Sequence, residues 1–172
     1  MRQEGGDGVV VLLGHGDGTF PPQDDAPEWA EATPGLAIGD FNGDGKLDAA
    51  VGVTVRDDEG NHVGCRTAMK LGNGDGTFQT RAGISIDGAG CYYFASGDFN
   101  GDNELDLAAV EIETTLLLGL GDGTFRKAAR YSGIGTPEPS SLTVGDFDGD
   151  GRSDLAIASK AGVQIILGRT VR

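Results

Sequence analysis

The stretch GDFNGDGKLDAAVGV, residues 39–53, decides the fold. Asp40, Asn42, Asp44 and Asp48 stand at positions one, three, five and nine of a glycine-rich loop, and Leu47, Ala49, Ala50, Val51 and Val53 make an apolar run through and behind it. The pattern returns as GDFNGDNELDLAAVE from Gly97 and as GDFDGDGRSDLAIAS from Gly145. A polar loop that turns at once into a short run of strand formers, three times over, predicts a repeated hairpin.

A second marker runs beside the first: LLGHGDGTF (12–20), KLGNGDGTF (70–78) and LLGLGDGTF (117–125), with a truncated copy, IILGRT, at 165–170. Asp98 to Asp146 is 48 residues, whereas Asp40 to Asp98 is 58. The first unit therefore carries an insertion, most of it in VRDDEGNHVGCR (55–66). Each unit reads as four strands: a lead-in A, the acidic loop, an apolar strand B, a strand C, the GDGTF turn and a strand D. Four antiparallel strands at this period predict an all-β chain of β-propeller blades. The frame divides the chain into a partial blade (1–34), blades at 35–91 and 92–141, and an incomplete blade at 142–172. Only PEWAEA (27–32) has the makings of a short helix.

The acidic loops have the donors of a calcium site. Calcium takes six to eight oxygens, and carboxylates with carbonyls on a tightly curled loop supply them. The first set is Asp40, Asn42, Asp44, the carbonyl of Lys46 and Asp48. The second is Asp98, Asn100, Asp102, the carbonyl of Glu104 and Asp106; the third is Asp146, Asp148, Asp150, the carbonyl of Arg152 and Asp154. Three Ca2+ sites are thus expected. Gly45 marks a sharp bend, and Asn103 takes its place in the second loop, where Asn tolerates a left-handed conformation better than most residues. An EF-hand is excluded by position twelve, which is Val51, Ala109 and Ile157 rather than glutamate. The alternative is an Asx-rich turn without metal. In the GDGTF element, Asp17, Asp75 and Asp122 read as turn residues, while Phe20, Phe78 and Phe125 read as packing between blades.

These motifs resemble the FG-GAP/VCBS repeat, the calcium-binding blade of integrin α-subunit-like propellers. The resemblance spans nearly the whole chain. The Gly-Ala-Pro signature of the integrin form is absent, with VGVTV, AVEIE and IASKA standing after the loops, so the bacterial type is the closer match. The resemblance implies an extracellular setting and a role in adhesion, in protein or carbohydrate binding, or as a scaffold beside enzyme domains.

A net charge of −14 disfavours nucleic acid and anionic membranes as partners. No apolar run reaches the length of a membrane span, and the first residues lack the pattern of a signal peptide. No nucleophile–base pair stands out, so a non-enzymatic role is expected. Strand direction places the acidic loops and GDGTF turns on one face of the blades and the irregular segments 21–35, 55–65, 79–91 and 126–141 on the other, where recognition is expected. Cys65 and Cys91 fall on that second face as a candidate disulfide, with free thiols the alternative. Trp29, Tyr92, Tyr93 and Tyr131 lie there too, available for stacking on a ligand or for packing. Three and a half blades do not close a ring. The chain therefore reads as part of a longer propeller, as half of a ring built by two copies, or as a filament subunit that adds a strand to its neighbour.

Overall fold

The computed structural model describes residues 9, 11–20, 32–79, 84–86, 93–110, 113–131, 139–160 and 162–169. Its elements are eleven strands: β1 (Ala32–Gly39), β2 (Asp48–Arg56), β3 (His62–Lys70), β4 (Ile84–Ile86), β5 (Tyr93–Gly97), β6 (Asp106–Val110), β7 (Thr114–Gly119), β8 (Phe125–Tyr131), β9 (Pro139–Gly145), β10 (Asp154–Ser159) and β11 (Gly162–Ile166). No helix occurs among the described residues. The strands form three antiparallel sheets, β1-β2-β3-β4, β5-β6-β7-β8 and β9-β10-β11, each in chain order. The first two are the A-B-C-D units expected from the repeat and the third is its A-B-C part, and the array is not closed.

The register is the same in every unit. Gly39 pairs with Asp48, Gly97 with Asp106 and Gly145 with Asp154, so the acidic loop always joins the A and B strands at one place. β1 lies beside β5 and β5 beside β9, which lines up the A strands along one side of the stack. The Ser96 hydroxyl donates to the Ile38 carbonyl at 3.1 Å across the first of these contacts.

Burial explains why the B strands are apolar without alternation. Every residue of β6 is buried because neighbouring sheets cover both faces, and the first four residues of β10 are buried as well. Alanines recur there (Ala49, Ala50, Ala108, Ala109, Ala156) and let the sheets approach closely. One core joins Ala37, Phe41, Ala50 and Met69 of the first unit to Phe94, Leu107, Ala109 and Leu117 of the second. A second joins Phe99, Leu116 and Leu118 to Leu155 and Ile157 of the third. Phe125 meets Phe41 edge-on, with ring centroids 5.6 Å apart, so this GDGTF phenylalanine does pack between units. Phe20, by contrast, is exposed.

Two expectations need correction or fall outside the structure. The partial blade at 1–34 was expected to supply strands C and D; its described residues 11–20 carry no strand, only the turn, and most of its remainder lies outside the described residues. Among the described residues no A and B strands stand beside them to supply a ladder. The short helix expected at 27–32 lies outside the described residues except for Ala32, which opens β1.

Candidate metal centre

Each acidic loop is curled by its own side chains. In the first, Asp40 Oδ1 accepts from the Asp44 amide at 3.1 Å and Oδ2 from the Gly45 amide at 2.8 Å. Asn42 Oδ1 also accepts from the Asp44 amide, and Asp44 Oδ1 accepts from the Lys46 amide at 3.0 Å. The second loop repeats this. Asp98 accepts from Gly101, Asp102 and Asn103, Asn100 Oδ1 from the Asp102 amide, and Asp102 Oδ1 from the Glu104 amide. In the third loop Asp146 accepts from Gly149, Asp150 and Gly151, Asp148 from Asp150, and Asp150 from Arg152. The bend requires a left-handed residue, with φ of 80° at Gly45 and 85° at Gly151. Asn103 adopts φ of 69° at the same place, the one non-glycine with positive φ among the described residues, as its side chain suggested.

The ninth-position acids do more than their spacing indicates. Asp48, Asp106 and Asp154 are fully buried. Asp48 Oδ2 accepts from the Phe41 amide at 3.0 Å while Oδ1 accepts from the Gly72 amide at 2.8 Å. Asp106 bridges Phe99 and Gly119 in the same way, and Asp154 bridges Phe147 and Gly168. Each therefore ties the A–B loop to the end of strand C, which places that loop and the C–D turn on one face. Gly72, Gly119 and Gly168 are thus part of the site although spacing within the loop did not point to them. The glycine that ends every KLG or LLG segment was the available signal.

The fifth-position acids find partners of their own. Lys46 Nζ lies 3.3 Å from Asp44 Oδ2, Arg152 Nη2 pairs with Asp150 Oδ2, and Asn100 Nδ2 donates to Asp102 Oδ2 at 2.8 Å. Lys46 and Arg152, expected to contribute carbonyls, thus also contribute their side chains. In the GDGTF turns, the Thr19, Thr77 and Thr124 hydroxyls donate to Asp17, Asp75 and Asp122. Those side-chain bonds, with the threonine amides, hold the three carboxyls below the usual range. These acids serve the turns.

The third loop has the donor set of a metal site. Carboxylate oxygens of Asp146, Asp148 and Asp154 lie within 4.8 Å of one another, the one such gathering of acidic, His or Cys ligands among the described residues. Oxygen donors converging at this range suit a hard divalent cation. In the first two loops Asn42 and Asn100 hold the place of Asp148, so the gathered negative charge is smaller.

Burial pushes the Asp106 carboxyl up to about 6, and the neighbouring charges of Asp102 and Asp98 add to the rise against the amides of Gly119 and Phe99. Asp48 shifts upward for the same leading reason. Burial opposes ionisation at Asp154 too, but the amides of Gly168, Phe147 and Asp148, with Arg152, outweigh it and its pKa is lowered. A raised carboxyl binds its proton more tightly in the folded chain, so its contribution to stability falls as pH rises from about 4 to 6. The metal-free protein should therefore be more stable at pH 5 than at pH 7 by about 1 kcal/mol from Asp106 alone. Urea midpoints measured in chelator at the two pH values check this; a midpoint that falls on acidification to pH 5 contradicts it.

The aromatic residues expected on the opposite face divide. Tyr93 and Tyr131 are half-buried and pack against the core between the second and third sheets. Trp29, Tyr92 and Cys91 lie outside the described residues, as does the side chain of Cys65, so the disulfide falls outside them as well. The Cys65 backbone pairs with Thr54 within the first sheet.

Fold and site together define a class: an all-β repeat protein whose antiparallel sheets stack as blades, each A–B hairpin turning through an acidic loop. Residues 113–157 match the family model of the FG-GAP-like repeat. The matched segment runs from the start of β7 into β10 and contains the whole third loop, so over that stretch the resemblance drawn from the motifs is borne out. No curated protein matches the chain. Among the described residues no helix is long and apolar enough to cross a membrane.

Proposed function

We propose that the chain is a calcium-stabilised, non-catalytic repeat module of an extracellular protein, serving in binding, adhesion or scaffolding. The observation that carries this reading is the gathering of Asp146, Asp148 and Asp154 on a loop already curled by its own amides. In the third loop Asp146, Asp148, Asp150, Asp154 and the carbonyl of Arg152 hold the ion, and the matching residues of the other two loops hold theirs. The bound ion offsets the repulsion among the acids and fastens the A–B hairpin. Ligand recognition, of a protein or a carbohydrate, belongs to the opposite face, where the turn at 57–61 projects beyond β2 and β3. An extracellular setting suits this reading because calcium is abundant there.

The test is thermal unfolding with calcium and with chelator. A ligand at one hundred times its Kd adds about 2.7 kcal/mol for one site, so calcium should raise the midpoint by several degrees, and Asp146→Asn with Asp148→Asn should remove much of that rise. An unchanged midpoint in EDTA sinks the reading.

A further inference from the structure

We propose that the chain associates head to tail with a second copy of itself, the open face of the third sheet receiving the open face of the first. This rests on the packing between units and is independent of the calcium reading. Both internal junctions use the same positions. Phe41 and Met69 of the first unit are covered by the second, and Phe99 and Leu116 of the second are covered by the third. The corresponding residues of the third unit, Phe147 and Ile165, are 50% and 43% exposed, against 2% for both Phe41 and Met69. The other half of the junction lies on the first unit. Phe94 is buried in the core, while Leu36 at the same position of β1 is 50% exposed and Leu47, matching Leu105, is 66% exposed. Each end of the array thus carries one half of an interface that the array already makes twice.

Glycines at the ends of the A strands give the junction its fit. A Cβ at Gly39 would stand 2.5 Å from Leu105 of the next unit, and one at Gly97 would stand 2.8–2.9 Å from Ser153 and Val144. At Gly145 the same Cβ would meet only the ring of Phe147, at 3.4 Å. Gly145 is therefore a socket without its plug, and Leu47 of a second copy is the residue that corresponds to Leu105. The receiving end has room. Leu13 approaches Gly76 as Leu71 approaches Gly123, so residues 11–20 hold the outer part of a preceding unit's place. A cleft of about 760 Å3 separates them from Ile38 and Leu47, where that unit's inner hairpin would stand. The β9–β10 hairpin of the incoming copy enters this cleft. Residues 11–13 carry no ladder, so an incoming β11 displaces no paired strand. A heterologous contact of this kind repeats from copy to copy.

The experiment is the mass of the 172-residue chain in solution, by sedimentation, over a wide concentration range. Wild type should grow beyond the monomer as concentration rises. Gly145→Leu adds an apolar side chain yet should abolish association by filling the socket, and Leu36→Lys should abolish it from the other end, each with a wild-type melting curve. Mixing the two variants should restore a dimer and nothing larger, because one intact face remains on each. A monomer at every concentration overturns the proposal, as does a Gly145→Leu chain that associates like wild type. Association of Leu36→Lys with itself at wild-type strength overturns it too, by pointing to a symmetric contact between two third sheets. Failure of the calcium reading shows as an unchanged melting midpoint in EDTA and leaves this outcome untouched.

Discussion

Asp106→Ala is expected to destabilise the metal-free chain by roughly 2–3 kcal/mol at pH 7, and by about 1 kcal/mol more at pH 5. The loss comes from the amides of Phe99 and Gly119, which donate to this carboxylate at 2.9 Å in a fully buried place. A buried donor left without a partner costs about 1–3 kcal/mol, and here two are stranded together, one from each end of the hairpin. Part of that cost is offset at pH 7, because the variant also removes a charge that burial penalises. At pH 5 the wild-type carboxyl is largely protonated, the offset is gone, and the full cost appears. Asp106→Asn should fall between wild type and alanine, since its amide oxygen keeps one bond, and it should flatten the pH dependence in the window from 4 to 6. Asp154→Ala has the same geometry but no such offset, since that carboxyl's pKa is lowered. Its effect should thus not diminish between pH 5 and pH 7. Urea titrations of the three variants at the two pH values decide the matter; an alanine variant at position 106 as stable as wild type at pH 5 refutes the bridging role.

That bridge marks where reading the sequence stops. The repeat, the order of strands within a unit and the curl of each loop were legible because they depend on neighbours a few residues apart: alternating oxygens, a glycine at the bend, an apolar run behind. The left-handed Asn103 was legible for the same reason. The bonds from Asp48, Asp106 and Asp154 to the far end of strand C reach across 24, 13 and 14 residues, and spacing within a loop carries no trace of them. Phe41 and Phe147 occupy one position of the same motif, GDFNGDG and GDFDGDG, yet one is buried and the other exposed. What differs is whether another unit stands beside them. The same holds for VLLG (11–14), whose apolar residues match those of β7 but which has no B strand alongside among the described residues. A strand is a property of its partner as much as of its residues.

The second large effect should come from Gly119→Ala. The glycine ends strand C at the point where Asp106 holds its amide, and the backbone of Leu105 passes directly against it. A Cβ there would overlap the Leu105 carbonyl oxygen, a backbone atom that cannot swing away as a side-chain tip would. Gly72 faces the Leu47 carbonyl and Gly168 the Ser153 carbonyl in the same manner, so the close approach recurs in all three units. Its φ is not the reason, since Gly119 is absent from the positive-φ residues. The conflict is purely one of space. Relief requires β7 to move away from the acidic loop, and that motion lengthens the Asp106 bond to Gly119 and opens the core around Leu116 to Leu118. Overpacking of a tight site costs about 1–3 kcal/mol, and the loss of a buried charged bond adds about 1.5–3, so a total of roughly 3–5 kcal/mol is expected. The two costs share a cause, which predicts strong non-additivity: Asp106→Ala with Gly119→Ala should cost clearly less than the sum of the single variants. Gly145→Ala supplies the control. It carries the same chemical change at a glycine of the third unit, but its Cβ meets only ordinary contact with Phe147, so its melting midpoint should stay within a degree or two of wild type. Equal losses at positions 119 and 145 would mean that glycine is needed for its backbone freedom and not for the space it leaves.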